Sequence, residues 1–187
     1  MKNIYFKSIA ITFLALGMLS CGGTSDLDST ESPVFITVEV LLYNPDIAVC
    51  GRNFDMEMTS LEVKSTLKNP NGTTSANQNV VISRWIVSPY RTDGGTVASP
   101  EWVHDMTVDV PSGGSASLSN YRIYPWEYLN DLPLSNLFPE NGGVDPETGN
   151  TNIRQSFKLQ LFGKTVSGHD VASIPINIPF NFVCQFE

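Results

Sequence analysis

The chain has 187 residues, 41% of them apolar, and a formal net charge of −8. That length allows one domain with a real core, and that apolar content argues against a disordered chain. With 19 acidic against 11 basic residues, it lacks the Lys/Arg surplus that phosphate binding requires, so nucleic acid is an unfavoured partner. A second docking site on an anionic membrane is unfavoured for the same reason.

Residues 1–23 read MKNIYFKSIAITFLALGMLSCGG. Lys2 and Lys7 form a short basic region, and Ile9 to Leu19 is an apolar run. A membrane-spanning helix needs about 20 residues, so this run is too short to span and suits a cleaved export signal. Small Ser20, then Cys21 and two glycines, close the segment. This resembles the bacterial lipoprotein signal, in which the cysteine is acylated and becomes the mature N-terminus. The resemblance implies lipidation at Cys21 and attachment to the cell envelope. Glycine rather than aspartate after the cysteine resembles the outer-membrane sorting pattern. Removing residues 1–20 takes both lysines away and leaves nine basic against nineteen acidic residues, or −10.

Residues 21–33 are small, polar and acidic, which predicts a flexible spacer. A strand is then expected from Val34, with Val34, Ile36, Val38, Val40 and Leu42 on one face and Asn44-Pro45-Asp46 ending it. Residues 56–68 predict a second strand. Leu61, Val63 and Leu67 face inward, while Met56 and Met58 have the opposite parity, so a bulge is expected near Thr59-Ser60. Asn69-Pro70-Asn71-Gly72 is a turn. Residues 79–91 are apolar on both faces, as in a central strand, with Trp85 as a core plug between two sheets.

Strands follow over 102–110, where Met106, Val108 and Val110 alternate with Asp105, Thr107 and Asp109, and over 115–123. Residues 124–152 break the rhythm. Pro125 before WEYL permits a helical turn or two, and Asn141 to Asn152 is a polar loop. Two clear strands close the chain. Ile153, Gln155, Phe157, Leu159 and Leu161 share one face; so do Ile174, Ile176, Ile178, Phe180, Phe182 and Cys184. Pro175 and Pro179 cannot donate to a ladder, which predicts that the last strand lies at an edge.

About seven strands with turns between them predict a single all-β domain over 34–187, an antiparallel β-sandwich with an irregular insertion near 124–152. The patterning is similar to that of immunoglobulin- and fibronectin-III-like domains. The segments RTDGGT, VPSGG and LFGKTVSG resemble turns of bacterial lipoproteins of unknown activity, and imply no chemistry. With Cys21 lipidated, Cys50 and Cys184 remain, and an exported protein would pair them. In the chain-entropy account, closing so long a loop stabilises by about 4–5 kcal/mol. The alternative is two separate buried thiols.

Catalytic signals are sparse. His104 and His169 are the only histidines, and no nucleophile-elbow or HExxH pattern accompanies them. Asp105 and Asp109 share one strand face, and exposed carboxylates of this kind could serve a carbohydrate-acting hydrolase. Asp145, Glu147 and Asn150 could offer oxygen ligands to Ca²⁺, as in a Ca²⁺-stabilised adhesion domain, or could simply belong to a plain surface loop. Tyr121, Tyr124, Trp126, Tyr128 and Phe138 could form a binding surface for a glycan or protein, or could cap the open end of the sandwich. The function expected is that of a non-enzymatic, lipid-anchored binding or structural module in a surface assembly.

Overall fold

A computed structural model describes residues 32–50 and 55–184. The expected export signal 1–20, Cys21 and most of the expected spacer lie outside the described residues. Among the described residues nine strands form: β1 (Val34–Leu42), β2 (Asp46–Ala48), β3 (Met56–Leu67), β4 (Val80–Arg91), β5 (Trp102–Val110), β6 (Ser115–Tyr124), β7 (Asn152–Thr165), β8 (Asp170–Ala172) and β9 (Ile176–Val183). They make two sheets. One has the order β1-β3-β6; the other runs β2-β9-β7-β4-β5, with β8 also on β7. The protein is an all-β sandwich. The two strands beyond the expected seven, β2 and β8, are three residues long, too short to show an alternation.

The inner faces follow from period-two patterning. Trp85 is fully buried, opposite Leu161 of β7 and in ring contact with Trp102 and Tyr121, in a core that also takes in Leu61, Val63, Phe157 and Phe182. In β3 the inward parity changes between Met58 and Leu61, where the sequence placed a bulge. The neighbours absorb the change: β1 slips register between Val40 and Leu42, and Asn120 in β6 takes a left-handed φ of 48°. That slip corrects one expectation. Leu42 turns outward and is exposed, as is Leu41.

A second correction concerns the last strand. β9 is not an edge along its whole length, because β2 pairs with it in parallel over Asn181–Val183. The Asn181 N–H donates to the Pro45 carbonyl at 2.8 Å, so odd-numbered residues of β9 direct their backbone groups away from β7. Pro179 thus sits where its missing N–H costs the β7 ladder nothing, and it blanks the stretch of edge that β2 leaves open. Ile174 departs from the predicted face too. Its N–H donates to the Ile36 carbonyl at 3.1 Å, tying the chain to β1, and its side chain is exposed.

The body begins slightly earlier than expected. Ser32 is buried, its hydroxyl bonds to the Val34 carbonyl, and the Lys68 N–H reaches the Pro33 carbonyl. In the irregular segment, α1 (Trp126–Leu129) is a single turn. Two short 3₁₀ turns follow at Leu134–Leu137 and Pro139–Asn141.

Candidate functional site

Four places bring together the residues that sequence reasoning singled out. The first is the junction of β2 and β9. Cys50, two residues past β2, and Cys184, the residue after β9, have Cα atoms 4.9 Å apart and are joined by a disulfide across 134 residues of chain. The bridge lies within one sheet at its end, and pins the short strand β2 where only three residue pairs hold it.

The second place is the aromatic end. Tyr124 is fully buried, and its hydroxyl donates to the Pro100 carbonyl. Burial raises its pKa. Its ring touches those of Tyr128, Phe157 and Trp102. Tyr121 packs edge-on against Trp85 at 4.9 Å, and burial raises its pKa as well. Tyr128 and Phe138 are half-buried against the core, whereas Trp126 is 36% exposed. The geometry of a cap therefore accounts for four of the five aromatics, and Tyr124 has no ring face left for a partner. The pattern that could have revealed this is the company they keep: Leu129, Leu134 and Leu137 alternate with them and are buried.

The third place gathers the residues considered as Ca²⁺ ligands. Asp145 and Glu147 face the guanidinium of Arg91 instead. Arg91 Nη2 donates to Asp145 Oδ2 at 2.6 Å and Arg91 Nε to Asp93 Oδ1 at 2.7 Å, with Glu147 at 3.5 Å. The Arg91, Asp93 and Asp145 side chains are at most 8% exposed. Burial alone would disfavour the Arg91 charge, but hydrogen bonds to Asp93 and Asp145 outweigh it and raise its pKa. Burial likewise opposes ionisation of Asp93 and Asp145. The guanidinium, with the Arg154 and Gly95 N–H groups on Asp93 and the Thr148 hydroxyl on Asp145, prevails, and both pKa values fall.

Glu147 is lowered chiefly by the Thr96 hydroxyl, then by the Val97 and Thr96 N–H groups. Asn150 contributes its backbone carbonyl, accepting from the Asp145 N–H at 2.8 Å. The knot thus staples the polar loop to the segment after β4. Among the described residues no group of three or more His, Cys, Asp or Glu side chains is arranged to hold a metal ion. Arg91 was the residue sequence reasoning missed: a lone arginine at a strand end gives no signal of the carboxylate found 54 residues on.

The fourth place is a groove of about 280 Å³ between the free stretches of β1 and β9, lined by Val38, Val40, Tyr43, Ile176 and Pro179 among others. Of the remaining candidates, His104 stacks on Trp102 at 4.8 Å between ring centres. Asp105 pairs with Arg84 at 2.8 Å. His169 lies in the turn between β7 and β8, where its backbone bonds to Thr165. No helix among the described residues is long and apolar enough to cross a membrane.

Neither a protein-family model nor a curated protein sequence matches this chain.

Proposed function

We propose that the protein is a non-enzymatic, lipid-anchored module of a bacterial cell envelope, exported through residues 1–20, acylated at Cys21 and probing its surroundings with a rigid β-sandwich. It serves as a binding or structural subunit of a surface assembly at the outer membrane. The observation that carries this reading is the Cys50–Cys184 disulfide. Structural disulfides persist in oxidising compartments outside the cytoplasm, which agrees with an export signal read independently from the first 23 residues. The reading as a binder or scaffold has separate support. Asp105, Asp145 and Glu147, which a hydrolase or a cation site would need free, are engaged with Arg84 or Arg91.

Expression of the full chain in a Gram-negative host with labelled palmitate tests the anchor. The wild type should carry label and sediment with membranes, and Cys21→Ser should carry none and appear in the soluble periplasmic extract. An unlabelled wild type, or a Cys21→Ser variant that stays with the membranes, would remove the anchor from the reading.

A further inference from the structure

Eight cations lie among the described residues, and most are neutralised locally. Lys64, Arg84, Arg91, Arg122 and Lys164 pair with carboxylates, and Lys68 lies over the Phe35 ring. Among the described residues, Arg154 and Lys158 have no carboxylate within ion-pair reach. Both project from the outer face of β7, the strand between β9 and β4. Four residues of extended chain separate them by about 13 Å.

Between them, register places Ser156 opposite Pro179 on β9 and Tyr90 on β4. Ser156 points outward with the two cations, yet is only 4% exposed, so the flanking rings cover it. Tyr90 itself is 43% exposed. Beside Arg154 stands Asn181, and beside Lys158 stands Asn177. β7 itself is paired on both sides, with β9 and with β4, so no strand can add beside the two cations; the open stretch of edge and the groove lie on the far side of β9. The chemistry of this face is a ring platform at the centre, amides along one side and a cation at each end.

We propose that this face binds an anionic polysaccharide strand bearing carboxylates, of the uronic-acid type. A sugar ring would lie on Tyr90 and Pro179, where an aromatic face meets apolar C–H groups. The amide of Asn177 would exchange hydrogen bonds with hydroxyls, while that of Asn181 is held by Asn152 and Asp46 and borders the path. Arg154 and Lys158 would each take a carboxylate from sugars on either side, through charge-assisted bonds. Charge complementarity picks the anionic class: in a chain of net −8, two uncompensated cations on one strand face attract an anion locally while the rest of the surface repels it. Asp46, bonded to Asn181 at 2.9 Å, and Glu101, bonded to Ser88 at 2.6 Å, bound the platform on its two sides. They restrict the ligand to a path along β7. Binding at so open a site weakens with salt.

The proposal deepens the binding-module reading but does not require the anchor. Loss of glycan binding and failure of Cys21 acylation are therefore separate readouts. The detergent-solubilised full chain is titrated against immobilised polygalacturonate, with dextran as the neutral glycan and poly-L-glutamate as the anion without sugar rings. Polygalacturonate should bind at low salt, and dextran and poly-L-glutamate much more weakly. Arg154→Gln with Lys158→Gln should weaken binding roughly tenfold, and Tyr90→Ala about fivefold. Lys164→Gln, on the same face but paired with Asp170, should leave binding unchanged, as should the charge-preserving pair Arg154→Lys and Lys158→Arg. Circular dichroism checks that each variant is folded. No binding to polygalacturonate overturns the proposal. So does binding indifferent to the double glutamine variant, or poly-L-glutamate bound equally with Tyr90→Ala without effect, which would mark a general polyanion or protein surface.

Discussion

Arg91 shows how one side chain can decide the state of a whole loop. Its guanidinium is buried against Asp93 and Asp145, and Gly95 leaves the space it occupies, since a Cβ there would collide with the guanidinium. A buried charge without its partner is costly, so breaking the pair should destabilise strongly even though the intact pair gains little over an apolar replacement. Asp145→Asn is expected to lower unfolding free energy by about 3 kcal/mol, measured by urea denaturation at neutral pH. The pH dependence has a definite sign. Asp93 and Asp145 have folded pKa values below their ordinary 3.8. Their stabilisation is therefore complete above that value and is lost as pH falls through the depressed folded values. The gap in melting temperature between wild type and Asp145→Asn should hold from pH 7 to pH 5 and narrow below about pH 3.8. A gap that widens in acid would contradict the assignment of these two carboxylates.

At the scale of the element, the strands show what a sequence can and cannot disclose. The alternation in β7 and β9 was legible because each is long and each has one face in the core. The small strands β2 and β8 were not, because three residues carry no period. The knot and the cationic face were equally hidden. Each assembles residues from different strands through register, and register depends on bulges that leave only weak marks in sequence. The bulge in β4 is one such case. Pairing with β7 slips between Ile82 and Arg84, opposite Gly163, and brings the Val81 carbonyl to where a Gly163 Cβ would stand. Backbone, unlike the end of a flexible side chain, cannot step aside. Gly163→Ala should therefore cost about 2 kcal/mol by overpacking and lower the melting temperature by roughly 6 °C. A melting temperature at or above wild type would mean that the two strands separate easily at the bulge.

For the molecule as a whole, the question is what keeps the two ends of the fold closed. One end has the aromatic cap and the Arg91 knot, and both draw on the irregular segment after β6. On the side where β1 and β9 diverge, the Ile36–Ile174 hydrogen bond closes the apex and a groove opens beyond it. β2 has three residue pairs to β9 and its own backbone bonds at Pro45 and Val49, a contact too small to persist by burial alone. The Cys50–Cys184 bridge supplies what packing does not, by removing most of the freedom that the loop of 134 residues would have in the unfolded chain. In the chain-entropy account this is worth about 4–5 kcal/mol. Cys50→Ser with Cys184→Ser should thus lower the melting temperature by roughly 10 °C, and reduction of the wild type should match it. The loss should also be local before it is global. Hydrogen exchange should accelerate first at Val49 and Asn181, whose N–H groups join β2 and its flanks to β9, while the N–H groups between β4 and β7 stay protected to near the global limit. Uniform acceleration in both regions would show instead that the bridge acts only through the unfolded state, and that β2 folds and unfolds with the core.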